Sequence, residues 1–212
     1  MSDDLVNQLA DQVYARYMRM QDPTQVVIGI SNRHVHLNEE DLRILFGLDA
    51  FEVYKTVRQP GEFAAVQQVT IHGPKASFAN VRCMGPCRKA SQVELSLTDA
   101  RALGISAPIT QSGVLDEAAW LEIESPLGTI RRKAAIVAAR HIHMGEAEAA
   151  GLGLKNQDKV SVEFGGTRGV TADHFIIRTA PNWKAEIHLD TDEANAFAVT
   201  TGDYGRIVRR TS

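Results

Sequence analysis

The chain has 212 residues, 44% of them hydrophobic and 23% charged, which suits one large domain or two small ones with a real apolar core. Its formal net charge of −3 gives no electrostatic case for nucleic acid or an anionic membrane, so any phosphate site must be local, built from a few arginines. Two cysteines, Cys83 and Cys87, make no disulfide framework. No run approaches the ~18 apolar residues of a membrane span, and the acidic N-terminus lacks a signal-peptide core, so a cytoplasmic protein is expected.

Residues 2–20 read as one amphipathic helix. Ser2 can cap it, Asp3 and Asp4 sit in its first turn, and Arg16 and Arg19 lie near its end, in the sense the helix dipole favours. Leu5, Val6, Leu9, Val13, Tyr17 and Met20 share one stripe, which either packs on the body of the protein or docks into a partner's groove. Asp22-Pro23 ends it.

From Val26 the texture changes to short β runs. Val26 to Ile30 leads into Arg33-His34-Val35-His36-Leu37, after which Asn38 can cap a short helix over residues 39–46 that Gly47 stops. Residues 69–74 and 78–82 read as a hairpin around Gly73 to Ser77. Residues 92–96, 120–124, 159–164, 175–178 and 186–189 read as further strands. Short strands, Gly/Pro turns and single-turn helices predict a mainly β fold of two small barrels capped by short helices.

One stretch occurs twice. Arg33-His34-Val35-His36-Leu37 returns as Arg140-His141-Ile142-His143-Met144, and each copy runs through an acidic stretch, into Leu45-Phe46-Gly47-Leu48 and Gly151-Leu152-Gly153-Leu154 respectively. The repetition predicts an internal duplication. A fainter echo joins residues 98–105 to residues 148–154. On a strand, alternate side chains share a face, so each His-x-His aims two imidazoles the same way, which suits a metal such as zinc better than a packed core. Glu94, between Val93 and Leu95, would be costly to bury without a cation, and His188 lies in another alternating run. These five histidines and one glutamate allow two three-ligand sites, each with an open position.

His72 and His174 have no histidine at i+2 and read as surface or turn residues. Cys83 and Cys87 are a weak metal pair. A thiolate nucleophile at Cys87, favoured by the neighbouring Arg88, is an alternative to a packing role. Gly85-Pro86-Cys87-Arg88-Lys89 is the phosphate candidate, a turn offering backbone N–H groups followed by two cations.

These residues resemble the PduL-type phosphate propanoyltransferase family. The resemblance is carried by Ser31 to Leu37, Gln59-Pro60-Gly61-Glu62-Phe63-Ala64, Gly85 to Lys89 with Gln92-Val93-Glu94, Ala139 to Met144, and Glu186 to Ala196, in order from about Val26 to Val199. It implies interconversion of a short acyl-CoA plus phosphate with the acyl phosphate plus CoA at a dizinc site, and because two ions could hold thiolate and phosphate together, direct transfer without an acyl-enzyme is expected. It implies one barrel from residues 23–32 and 139–212, and another from 33–138 with a turn-rich insertion near 47–66. Carried over by position, His34, His36 and Glu94 would hold the zinc that meets the CoA sulfur. His141, His143 and His188 would hold the zinc facing phosphate, with Arg88 neutralising that phosphate. Residues 1–22 resemble the helix that delivers many members to a bacterial microcompartment, which implies shell or cargo proteins as partners; a homodimer is expected on general grounds. A zinc-dependent thioesterase and a non-catalytic microcompartment binding protein are the competing readings. Phosphate dependence separates the first, and indifference to His141→Ala the second.

Overall fold

A computed structural model describes residues 21–208, together with Val13, Tyr14 and Tyr17. The helix expected over residues 2–20 lies outside the continuously described residues. In chain order the strands are β1 Gln25–Ser31, β2 His34–His36, β3 Val53–Thr56, β4 Phe63–His72, β5 Ser77–Gly85, β6 Gln92–Leu95, β7 Ile109–Thr110, β8 Ala119–Glu124, β9 Thr129–Ala138, β10 His141–Gly145, β11 Lys159–Phe164, β12 Val170–Ala180, β13 Glu186–Asp190 and β14 Tyr204–Val208. The helices are α1 Glu39–Phe46, α2 Leu97–Leu103, α3 Glu146–Gly151 and α4 Thr191–Phe197.

Two six-stranded barrels result, as the short-strand texture predicts. In one, the ring runs β1-β13-β10-β12-β11-β14 and closes on itself. In the other, β4, β5, β2, β6 and β9 follow one another, and β8 closes the ring by pairing with both β4 and β9. The stretch 47–66, read as turns, contributes β3 and the first residues of β4.

The two barrels repeat each other strand for strand. β2 runs parallel to β5 and antiparallel to β6, as β10 does to β12 and β13. β6 pairs with β9 in parallel, as β13 does with β1. By this correspondence β1 stands in the first barrel where β9 stands in the second. Each repeat therefore gives its opening strand to the other's barrel, and the two short links from β1 to β2 and from β9 to β10 both cross between them. The same correspondence matches α1 with α3, and α2 with α4. The echo between residues 98–105 and 148–154 therefore joins α2 to α3, which follow non-equivalent strands; it reflects a shared way of stopping a short helix, not the repeat itself.

Local sequence accounts for the helix ends. Asn38 caps α1 by accepting from the Asp41 N–H, and Gly47 ends it at φ 66°, a left-handed conformation that costs glycine little. Ser96 with Asp99 and Asp190 with Glu193 form capping boxes at the starts of α2 and α4. The middle residues of the two His-x-His stretches, Val35 and Ile142, are fully buried, each in the core of its own barrel. Strand alternation then turns the flanking histidines outward, to the face where the two barrels meet.

Candidate metal and substrate centre

Pairing register builds two like clusters. On the first rung, His34 of β2 faces Glu94 of β6, and His141 of β10 faces His188 of β13. On the next, His36 faces Gln92 and His143 faces Glu186. The potential donor atoms of His34, His36 and Glu94 lie within 4.8 Å of one another, and so do those of His141, His143 and His188. All six ligand candidates read from the sequence are thus brought into two triads. The two triads border a common gap of about 20 Å3 touched by His34, Glu94, His141 and His188.

The first histidine of each pair is oriented in the same way. His34 donates its Nδ1–H to the Asn32 carbonyl and His141 to the Ala139 carbonyl, both at 2.9 Å, which leaves Nε2 as the free lone pair. The preceding arginines are pinned alike: Arg33 to Asp99 and Arg140 to Glu193, each at 2.6 Å. Those two acids are the capping-box residues of α2 and α4, so each cap also fixes the link that carries the histidines across.

The donors are poised as lone pairs and a carboxylate. Burial pushes His141 down to about 3, with His188 adding to the effect. Burial also lowers His36 and His143, and neighbouring imidazoles lower them further. Burial raises the Glu94 carboxyl, but His34, His36, the Ser112 hydroxyl and Arg88 together outweigh it and hold it at about 2. His143 is 7% exposed, yet neither of its ring nitrogens has a hydrogen-bond partner. A buried imidazole left so is costly unless a ligand occupies the space before it. Two histidines with a glutamate, and three histidines together, are both donor sets that hold zinc with one position open, so the residues present fit a metal at each cluster.

Arg88 reaches this centre from the turn after β5, its backbone N–H donating to the Leu37 carbonyl at 2.9 Å. Its guanidinium donates to Ser112 Oγ at 2.9 Å and lies 3.7 Å from Glu62 and 3.8 Å from Glu94. With its side chain one-third exposed, it can turn its fork to a ligand in a cleft of about 490 Å3 that both triads line. The Cys87 thiol is raised by burial, which opposes the nucleophile alternative, and Cys83 is buried in the barrel core. His72 pairs with Glu124 at 2.6 Å on the surface and His174 is exposed, both away from the centre.

Several cleft residues escaped the sequence reading. Ser112 accepts from Gln92 Nε2 at 2.8 Å and donates to Glu94 Oε1 at 2.8 Å, joining both to Arg88. Arg178, beside His143 in the β10–β12 ladder, adds a further guanidinium to a cleft wall that also carries Arg33, Arg58, Arg82 and Arg88. Nothing local marks them: Ser112 lies in an ordinary turn, and Arg178 is singled out only by the strand that pairs with it. The barrel pairing alone could have found Arg178.

A family model described as phosphate propanoyltransferase matches residues 27–200. A phosphate propanoyltransferase of Rhodopseudomonas palustris is 46% identical over 191 residues, covering 89% of this chain and 84% of that protein. One from Thermotoga maritima is 44% identical over 197 residues, covering 91% and 93%. One from Shewanella putrefaciens is 41% identical over 204 residues, covering 95% of each chain.

Proposed function

The chain belongs to the phosphate propanoyltransferase family and is a phosphate acyltransferase, and from this premise we propose that it exchanges propanoyl groups, and acetyl groups by the same chemistry, between CoA and phosphate at a dizinc centre. The observation that carries the reading is the pairing of two donor triads across one gap, with Arg88 tied through Ser112 to one of them. His34, His36 and Glu94 would hold one zinc, and His141, His143 and His188 the other. When bound, such ions supply Lewis-acid stabilisation of a departing thiolate and of phosphate oxygens.

The chain's own residues do the rest. Arg88 offers paired N–H donors to phosphate, and Ser112 holds that guanidinium in the cleft. A phosphate oxygen attacks the thioester carbonyl carbon, the C–S bond breaks, and the electron pair leaves with the CoA sulfur. Arg88, with Arg178 of the other barrel, offsets the negative charge that gathers as this happens. Holding both substrates in one cleft makes the attack effectively intramolecular. Transfer is direct, with no acyl-enzyme: Cys87 is not among the residues that line the cleft, and burial raises its thiol.

The test is product analysis with propanoyl-CoA. Propanoyl phosphate formed in step with free CoA, with no labelled acyl group left on the protein, supports the reading. Propanoate in place of the acyl phosphate would make it a thioesterase, and a label on Cys87 would replace direct transfer. The amphipathic pattern of residues 2–20 supports docking to a microcompartment protein. A chain lacking them should keep its activity and lose association with that partner.

A further inference from the structure

We propose that Gln59 and Glu186, with the space left by Gly29, form a positioning relay that orients the His188 imidazole, so that a loop of one barrel sets the metal affinity of the triad on the other. The inference rests on the metal reading above.

His34 and His141 each have a backbone carbonyl that takes the Nδ1–H. At His188 the neighbouring group is the Glu186 carboxylate, and it stands by Nε2 rather than Nδ1. The two residues alternate on β13 and share the outward face. Glu186 Oε2 lies 3.4 Å from His188 Nε2, a buried nitrogen that has no hydrogen-bond partner and so faces this carboxylate or a ligand. Glu186 is not one of the triad whose donors gather within 4.8 Å. It stands beside His188 rather than among the donors, where an acceptor fixes which ring nitrogen is left for the metal.

The seat of that carboxylate is specific. In the sheet, β13 lies between β10, which carries the other two histidines, and β1. Gly29 of β1 is the register partner of His188. A Cβ at Gly29 would fall 2.6 Å from Glu186 Oε1 and 3.0 Å from its Cδ. The carboxylate therefore occupies the room that a side chain would take, on the far side of His188 from His141 and His143. Only glycine leaves it there.

Gln59 fixes it from across the barrel boundary. This residue lies between β3 and β4 and is 2% exposed. Its Nε2 donates to Glu186 Oε2 at 2.9 Å and to the Lys184 carbonyl at 3.0 Å, while its Oε1 accepts from the Lys184 N–H at 3.3 Å. The other triad has a related arrangement, with Gln92 donating to Glu94 Oε1 at 2.6 Å. Each centre thus combines one carboxylate with one amide, but for the His188 triad the amide comes from the opposite barrel.

The test is equilibrium competition for zinc between a chromogenic chelator and the full chain, comparing wild type with Glu186→Gln and Gly29→Ala. Wild type should hold two zincs. Each variant should keep one at wild-type affinity and bind the other about 10–100-fold more weakly, the range for loss of a partner behind a metal-binding histidine. In a His141→Ala background, Glu186→Gln should change nothing further. Gly29→Ala leaves Glu186 itself in place and displaces only its flexible end, so it carries the test if Glu186→Gln folds poorly. Two zincs in wild type, held equally tightly by both variants, would overturn the relay. A wild type that holds no zinc would instead overturn the metal reading beneath it.

Discussion

Acid should destabilise the zinc-stripped protein before most of its carboxylates titrate. His141 is pushed down to about 3 by burial and by His188, so in the folded chain it stays neutral through mildly acidic pH. In the unfolded chain an imidazole takes up its proton near about 6.5. Between those values the unfolded state binds one more proton, so stability falls as pH falls; above about pH 7 the contribution is fully present. Linkage makes the loss from pH 7 to pH 5 about 2 kcal/mol for His141. His36 and His143 are displaced in the same direction and add to it. Against a domain stability of about 5–15 kcal/mol this is a large fraction. Glu94, held at about 2, also favours the folded state, but its contribution is lost only as pH falls from the ordinary carboxylate range toward about 2. Urea unfolding of stripped protein at pH 7, 6 and 5 should show the midpoint falling at each step with an unchanged slope. His141→Asn should flatten that dependence. A midpoint that does not move between pH 7 and pH 5 would refute the reasoning.

Arg88→Lys keeps the charge but loses the fork, and should lower kcat/KM for phosphate by about 10²–10³-fold, read in a thiol-release assay, with unchanged circular dichroism. Ser112→Ala removes a hydroxyl bonded to Arg88, Gln92 and Glu94, and should both cost about 1–3 kcal/mol in urea unfolding and raise the KM for phosphate. Asp41, fully buried, receives Arg132 at 2.5 Å and Ser91 Oγ at 2.5 Å; Asp41→Ala should cost about 1.5–3 kcal/mol of stability while leaving the KM values near those of wild type.

The donor triads were legible because His-x-His has only one outcome on a strand whose middle residue is buried. Val35 and Ile142 go into the barrels and the four imidazoles come out. Glu94 and His188 were legible because alternation among apolar neighbours marked them, and register then placed them opposite His34 and His141. The short helix α1 was legible from Asn38 and Gly47. What stayed hidden depends on pairing between distant strands. Nothing near Gln59 announces that its amide meets Glu186 in the other barrel, and nothing near Ser112 announces Arg88. The exchange of opening strands has no local signature either, because β1 and β9 read like any apolar run. It is fixed only by the ladders they join, β1 with β13 and β9 with β6.

The central claim is that two metal-holding triads facing one gap carry acyl transfer to phosphate. The most direct measurement is titration of zinc into stripped protein, following CoA release from propanoyl-CoA with and without phosphate. Phosphate-dependent release that rises to a plateau at two zincs per chain is the predicted result. Release that is complete without zinc, or that proceeds equally without phosphate, would contradict the account.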